Sequence, residues 1–303
     1  MHPIPQEAFD WYDEYAHGFI SRRTFLAHLS TITTASLTVG ALLPLLTPNY
    51  AMAEQVSFND PEITATYETF PSPKGHGEGQ GYLVKPSSLV TTAPAVLVVH
   101  ENRGLNPYIK DVARRLAKAG FLAFAPDALY SIGGYPGNDD EGRAMQRAMD
   151  RPKIEQDFIA AAIFLKSHEQ SNGKLGAVGF CFGGYVVNML AATIPDSLNA
   201  AVLFYGTPAA SEIRGNIKGP LLIQLAELDT RVNATWPEYE SDLIDNKVNF
   251  TMYMYPQANH GFHNDSTGRY DEENAELAWE RTIEFFNQHL GCQTAMHSSD
   301  AQA

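Results

Sequence analysis

The chain has 303 residues, of which 44% are hydrophobic and 18% are charged, and its formal net charge is −14. This composition is typical of a globular protein with one sizeable core and argues against intrinsic disorder. The negative charge would repel phosphate backbones, so we expect no nucleic-acid partner. Two cysteines, Cys181 and Cys292, are too few for a disulfide framework.

The N-terminal segment, residues 1–53, has the order of features found in export signals. Ser21–Leu26 (SRRTFL) resembles the twin-arginine motif, a short apolar run follows at 35–46, and Ala51–Ala53 looks like a cleavage site. We therefore predict transient contact with the twin-arginine machinery and a periplasmic or otherwise exported protein with no stable membrane span, cytoplasmic location being the alternative. The acidic stretch before Arg22 leaves open an amphipathic helix that stays on the protein.

Strand and helix patterns alternate through residues 54–290, which we interpret as one domain. Continuous apolar runs such as Ala95–Val99 are typical of strands buried on both faces. The alternation predicts a mostly parallel sheet with helices on both faces. Residues 133–140 are predicted to form a loop, and residues 291–303 a flexible tail. Strands are predicted at 63–70, 81–85, 95–99, 121–125, 175–179, 200–205, 220–225 and 249–255, and helices at 108–119, 152–170, 183–193, 237–246 and 272–289.

A nucleophile elbow is predicted at Gly179–Gly183 (GFCFG), which follows a strand and precedes a helix. The turn is sharp, and a Cβ at either glycine would crowd the adjoining strand and helix. It would hold the Cys181 sulfur at a helix N-terminus, where the dipole favours a thiolate. The N–H of Phe182 could then donate to a developing oxyanion. The alternative is a buried, inert cysteine.

An acid and a histidine follow the elbow in the chain order of an α/β-hydrolase triad. Asp229 follows the strand at 220–225 and His260 follows the strand at 249–255. Both lie just past the carboxyl ends of strands, where sites form in open α/β sheets. Other residues could fill these roles: Glu227 could be the acid, and His263 or His289 could be the base.

The loop after the first core strand, His100–Gly104 (HENRG), lies where these folds place the second oxyanion N–H, here that of Asn102. Glu101 is a further candidate for the chemistry. It could instead pair with Arg103 or cap the helix that follows.

Together, the His100–Gly104 loop, the Gly179–Gly183 elbow, Asp229 and His260-Gly261-Phe262 resemble the dienelactone hydrolases (carboxymethylenebutenolidases), with a closer likeness to an exported, YghX-like subgroup. The resemblance covers about residues 63–290 and implies an α/β-hydrolase fold. It also implies that Glu101 accepts a hydrogen bond from the resting Cys181 thiol and takes its proton when substrate binds.

These residues predict a carboxylic ester hydrolase that cleaves small esters or lactones through a thioester on Cys181, with Asp229 and His260 completing the triad and no metal or organic cofactor. The family's substrate-binding arginine would stand four residues after the histidine, where this chain has Asn264. Candidate substrate-binding residues are therefore Arg103, Tyr130 and Arg269. The alternatives are a non-catalytic protein and a thiol redox protein on the same scaffold.

Overall fold

The structure is a computed structural model that describes residues 4–33 and 38–291. Cys292 and the predicted tail beyond Gly291 lie outside the described residues, as does part of the predicted apolar run, residues 34–37.

Eight strands form one sheet in the order β1-β2-β4-β3-β5-β6-β7-β8. Strand β2 runs antiparallel to its neighbours β1 and β4, and the pairs from β4 through β8 are parallel. The carboxyl ends of β3, β5, β7 and β8 therefore share one rim. The strands are β1 (Ile63–Ser72), β2 (Gly77–Pro86), β3 (Ala93–Val99), β4 (Leu122–Pro126), β5 (Ser171–Phe180), β6 (Ala200–Phe204), β7 (Leu221–Ala226) and β8 (Phe250–Tyr255).

The described helices cover both faces of this sheet and also form an N-terminal group. Tyr50–Met52 and Tyr130–Ile132 are short 3-10 turns. The α-helices are α1 (Gln6–His17), α2 (Arg22–Thr31), α3 (Val39–Leu46), α4 (Pro107–Lys118), α5 (Asp139–Ala148), α6 (Arg151–Lys166), α7 (Phe182–Thr193), α8 (Ser211–Arg214), α9 (Thr230–Asn233), α10 (Trp236–Asp245) and α11 (Glu272–Leu290).

The core consists of two apolar layers, one on each face of the sheet. Leu97 and Val99 point into a layer shared with α6 and α7, whereas Val96 and Val98 point into a layer shared with α4 and α11. This alternation follows from the two-residue period of a strand. The α/β-hydrolase fold predicted from the sequence is confirmed, because the sheet is mostly parallel and is covered on both faces.

Residues 4–33 and 38–52 pack as helices against the rim of the sheet. Tyr12, Phe25, Leu29 and Leu42 form a small apolar cluster of their own. Ser21 caps α2 by accepting a hydrogen bond from the Thr24 N–H at 3.1 Å, so the SRRTFL motif begins a helix here. Among the described residues, no helix combines the length and apolarity that a membrane span requires.

Candidate active site

Cys181 lies in the strained turn between β5 and α7. Its backbone has φ 56° and ψ −113°, which L-residues rarely adopt. A Cβ on Gly179 would approach the Gly183 carbonyl oxygen to 2.1 Å, and one on Gly183 would approach the Val99 oxygen to 2.2 Å. Both positions therefore require glycine, and the turn lifts the sulfur above the carboxyl end of the sheet.

Asp229 and His260 form a hydrogen-bonded pair beside the elbow. Nδ1 of His260 donates to Oδ2 of Asp229 at 2.5 Å, since an ionised carboxylate can only accept. Oδ1 of Asp229 accepts from the Val232 N–H at the start of α9, which fixes the carboxylate. Nε2 of His260 is buried and has no hydrogen-bond partner within the described part of the chain. This nitrogen is therefore available to a reacting group.

The rival residues lie in other surroundings. Glu227 accepts from the backbone and side chain of Gln257. His263 is buried against Tyr108, whose hydroxyl lies 2.7 Å from Nδ1. His289 packs on Phe285 in the final helix. The geometry therefore pairs His260, rather than these histidines, with a carboxylate at the rim.

The two predicted oxyanion donors line the same cavity as the sulfur. Asn102 and Phe182 both border it beside Cys181. Across residues 4–33 and 38–291, the backbone hydrogen bonds of turns and loops do not use either N–H. Both N–H groups can therefore donate to an oxygen that develops negative charge.

Glu101 is buried, and its carboxylate is bound by neighbours other than the Cys181 thiol. Its Oε1 lies 3.2 Å from Nη2 of Arg103, and its Oε2 accepts from Nδ2 of Asn264 at 3.0 Å. Burial raises the pKa of Glu101, and the Arg103 charge opposes that shift. The hydrogen bond that the family resemblance implies between Glu101 and the thiol is thus replaced here by bonds to Arg103 and Asn264.

The contact on the Cys181 sulfur comes from α1, which the sequence had assigned to a leader. Nε2 of His17 lies 3.3 Å from Sγ. Nδ1 of His17 lies 2.9 Å from the Asp13 carbonyl oxygen and 3.3 Å from the Asp13 carboxylate. Asp13 also contacts Arg231 at 3.3 Å and Arg269 at 3.4 Å. A second Asp–His pair, carried by α1, therefore contacts Cys181.

The two imidazoles determine the ionisation of the thiol. Burial would raise the pKa of Cys181, but His260 and His17 outweigh it and hold that pKa well below its usual value. Burial also opposes charge on His260, yet Asp13, Asp229 and the thiolate raise its pKa to about 10. The same thiolate and Asp13 raise the pKa of His17. The site therefore favours a thiolate next to an imidazolium at neutral pH.

A cavity of about 330 Å³ opens beside Cys181, with α1 as one of its walls. This volume lies at the lower end of the range for small-molecule sites. Arg143, Arg147, Arg151 and Arg231 line it, and no Asp or Glu does so among the described residues. Nη1 of Arg143 is buried without a hydrogen-bond partner in the same described ranges. The cavity therefore presents guanidinium groups to a ligand, although three of them also contact a carboxylate outside the lining: Arg143 with Asp140, Arg151 with Glu155 and Arg231 with Asp13.

The residues predicted to bind substrate lie outside this cavity. Arg103 is buried between Glu101 and Asp139. Tyr130 borders a separate cleft and donates to Glu78 at 3.1 Å. Arg269 borders a neighbouring cleft and contacts Asp13. The sequence did not identify the arginines that do line the cavity. A loop was predicted at residues 133–140 and no helix was predicted at α5, which carries Arg143 and Arg147.

Two groups of side chains have the donor set of a metal site. The ligand atoms of His17, Cys181 and His260 lie within 4.8 Å of one another, as do those of Asp13, Asp229 and His260. However, Nη2 of Arg231 lies 3.1 Å from Nε2 of His17 and 3.4 Å from Nδ1 of His260. A guanidinium so close to both groups disfavours a cation between them.

Known proteins resemble this chain over the segment that contains Cys181, Asp229 and His260. The model of the dienelactone hydrolase family matches residues 80–290. The chain belongs to this family. A second family model, described as YqhI-like, matches residues 1–34. As a member of the dienelactone hydrolase family, the protein is a hydrolase that acts on esters or lactones.

Individual relatives agree with that membership. A putative hydrolase fragment, YghX, of Escherichia coli K12 is 66% identical over 114 residues, which are 38% of this chain and 97% of the fragment. A putative carboxymethylenebutenolidase of Saccharolobus solfataricus is 33% identical over 63% of this chain and 88% of its own. The crystal structure of a putative dienelactone hydrolase from Klebsiella pneumoniae superposes with a TM-score of 0.63 at 25% identity, covering 74% of this chain and 99% of that one.

Proposed function

We propose that the protein hydrolyses small esters or lactones with Cys181 as nucleophile, through a thioester intermediate. The observation that carries the proposal is the position of the sulfur. It lies at a strained elbow, 3.3 Å from an imidazole, with the Asp229–His260 pair and two unused N–H groups around the same cavity. A thiolate so placed is the form of cysteine that attacks carbonyl carbon.

Acylation begins when the Cys181 thiolate attacks the carbonyl carbon and a C–S bond forms. The N–H groups of Phe182 and Asn102 donate to the resulting oxyanion. When the intermediate collapses, the C–O bond breaks and the leaving oxygen takes up a proton from an imidazolium. The acyl group then remains on the sulfur as a thioester.

Deacylation uses the pair at the rim of the sheet. His260 takes a proton from water, and Asp229 holds the imidazole in the required tautomer and stabilises its charge. The hydroxide attacks the thioester, the C–S bond breaks and the thiolate is restored. The carboxylic acid that forms ionises, and its proton recharges the imidazole that protonated the leaving oxygen. A role for Glu101 as the base that takes the thiol proton requires its carboxylate to turn from Arg103 and Asn264 toward Cys181 when substrate binds.

The arginines of the cavity favour a substrate that carries an anionic group beside its ester. Nη1 of Arg143 is buried and has no hydrogen-bond partner among the described residues. Arg151 lies over the rings of Phe182 and Tyr185, next to the elbow. Guanidinium groups bind carboxylates through two parallel hydrogen bonds. We therefore expect Arg143→Gln to raise KM several-fold for a hemisuccinate ester and to change KM for the matching neutral ester much less.

The nucleophile is tested by Cys181→Ala, with Cys292→Ala as the matched cysteine control. Loss of the nucleophile should lower kcat on p-nitrophenyl acetate by at least about 10⁴-fold. Hydrolysis by Cys181→Ala at a rate near that of the wild type would overturn the proposal. A reversible oxidation of the Cys181 thiol, with no ester turned over by the wild type, would favour a thiol redox protein instead.

Export stays a prediction. The twin-arginine route carries folded proteins, so a folded hydrolase domain is compatible with it. We propose a periplasmic or otherwise exported protein on the strength of the SRRTFL motif and the apolar run that follows it. Cell fractionation tests this, and recovery of the protein only from the cytoplasm would contradict it.

A further inference from the structure

Helix α1 brings two titratable side chains into the active site that the hydrolase triad does not require. Asp13 and His17 are four residues apart, so they share one face of the helix. The His17 imidazole reaches Sγ of Cys181 at 3.3 Å, and its ring lies 5.0 Å from the ring of His260. Cys181 thus lies between two histidines, each of which is backed by an aspartate.

Several contacts fix α1 in this position. Nδ2 of Asn102, in the oxyanion loop, donates to the Ala16 carbonyl oxygen at 2.8 Å. The Tyr12 ring lies 5.0 Å from the Arg269 guanidinium. Ala8, Tyr12 and Ala16 are buried, one turn apart, on the docked face. The helix is therefore held by side chains of both the catalytic loop and the rim.

The docked helix leaves room for a substrate. The cavity of about 330 Å³ exists with α1 in place, and His17 is one of its lining residues. A segment that only blocked the site would fill this space. Helix α1 instead forms a wall that presents an imidazole to both the sulfur and the cavity.

We propose that His17 is a catalytic residue that takes the proton from the Cys181 thiol and returns it to the leaving-group oxygen during acylation. This inference rests on the proposed ester or lactone hydrolysis. It also requires that residues 1–53 remain on the working enzyme.

The proton can be followed through each bond. The Asp13 carbonyl oxygen accepts from Nδ1–H of His17, which leaves the lone pair on Nε2 facing the sulfur. In the resting site the transfer from the thiol has already taken place, so the S–H bond is broken and the proton is held on Nε2 as an imidazolium beside the thiolate. After the thiolate attacks and the C–O bond of the ester breaks, the leaving oxygen takes the proton from Nε2. The thioester no longer carries the thiolate charge that helps to raise the pKa of His260, so this imidazole can lose its proton and then act as the base toward water.

Arg231 is the charged group closest to Nε2 of His17. Its Nη2 lies 3.1 Å from that nitrogen and 3.3 Å from Oδ2 of Asp13. Once His17 has given its proton to the leaving oxygen, the lone pair of Nε2 can accept from Arg231, and the guanidinium contacts Asp13 in both protonation states. The ionisable groups that face the sulfur and His17 from the surrounding elements are Asp13, Glu101, Tyr205, Arg231, His260 and Arg269.

The first test measures the ionisation of Cys181 without any ester. The rate of iodoacetamide alkylation of the full chain is followed from pH 5 to pH 10 for wild type, His17→Gln and the control His28→Gln. The control histidine lies on α2 and packs against Trp11. We expect the midpoint of the profile to rise by about one pH unit or more in His17→Gln, which is a tenfold loss of thiolate below the midpoint. The control should keep the wild-type midpoint.

The second test measures return of the proton. An aryl ester such as p-nitrophenyl acetate releases a stable anion, whereas an alkyl ester such as ethyl acetate must release a protonated alcohol. We therefore expect the ratio of kcat on the alkyl ester to kcat on the aryl ester to fall about tenfold or more in His17→Gln. A merely structural role for α1 would lower both rates together.

An unchanged alkylation midpoint in His17→Gln, or an unchanged ratio of the two rates, overturns the inference. His17→Asn is the second variant and serves if the first one does not fold, as judged from its melting temperature. These results are distinct from failure of the proposed function, in which the wild type cleaves no ester although the alkylation midpoint still depends on His17.

Discussion

The two Asp–His pairs around Cys181 offer the same chemistry but are anchored in different ways. Asp229 and His260 follow β7 and β8, so the register of the sheet fixes where both residues lie. Asp13 and His17 lie on a helix that no strand pairing holds, and α1 is fixed by side-chain contacts with the rim. The comparison suggests that the sheet supplies the pair needed for every step, and that the docked helix supplies the pair that assists one step.

The largest difference between the pairs should appear when each imidazole is removed. We expect His260→Gln to lower kcat on p-nitrophenyl acetate by about 10³–10⁴-fold, because water activation in deacylation depends on this residue. His289→Gln, on the final helix, is the control. A loss from His260→Gln no larger than the loss from His17→Gln would show that the two pairs act equally.

Removing the aspartate should also lower kcat more in the pair on the sheet than in the pair on helix α1. We expect Asp229→Asn to lower kcat by about 10²–10⁴-fold, because the amide removes the charge that holds the His260 tautomer. Asp13→Asn should cost about tenfold or less, since the backbone carbonyl of residue 13 still orients His17 at 2.9 Å. Steady-state kinetics on one ester measures both. Equal losses would contradict the ranking of the pairs.

The different anchoring predicts different stability. Phe25 is buried in the N-terminal cluster with Tyr12 and Leu29. Phe25→Ala should destabilise that cluster by about 3 kcal/mol, because it leaves a cavity where an aromatic ring was packed. Hydrogen exchange should then speed up in residues 4–33 while β5 and β6 keep their protection. Equal loss of protection in the sheet would show that α1 and the core unfold together.

Removing one docking bond should have the smallest effect. Asn102→Ala keeps the backbone N–H of the oxyanion loop but loses the 2.8 Å hydrogen bond to Ala16. We expect about 1 kcal/mol less docking energy and a few-fold loss of kcat. Hydrogen exchange in α1 and kinetics on one ester together measure this. Unchanged exchange in α1 would contradict the role of Asn102 in holding the helix.

Whether residues 1–53 are cleaved from the native protein decides whether the pair on helix α1 can take part in catalysis. A working enzyme that keeps α1 has an intact mass that includes residues 1–53, whereas cleavage after Ala53 would leave Glu54 as its first residue. Intact-mass spectrometry of the native protein decides between these results. A fully active protein that begins at Glu54 would remove the helix pair from catalysis.

The sequence predicted most of the hydrolase domain because its elements have strong local signals. Apolar runs of five residues marked the buried strands, and the glycines of the elbow marked the turn at Cys181. The order Cys181, Asp229, His260 followed from the position of each residue after a strand. Sheet register then brings these residues to one rim, so local patterns were sufficient there.

The sequence did not predict the helix pair, because its contacts span more than 160 residues. The SRRTFL motif and the apolar run suggested a leader, and nothing local to α1 indicates what it packs against. One signal was present: Asp13 and His17 stand four residues apart among aromatic residues, in an acidic stretch that does not resemble the basic start of a signal. Helix α5, which carries Arg143 and Arg147, was not predicted, because the Gly- and Asp-rich run before it is typical of a loop.

The central claim is that two imidazoles hold Cys181 as a thiolate. Its most direct test is the pH profile of Cys181 alkylation in the full-length wild-type chain. Because the pKa of Cys181 is depressed, the thiolate persists to lower pH than in an ordinary thiol, and the alkylation rate should fall far less between pH 9 and pH 6 than it would for such a thiol. An unperturbed thiol, with a pKa of about 8.5, would lose more than about a hundredfold in rate over the same interval. Such a loss would contradict the account.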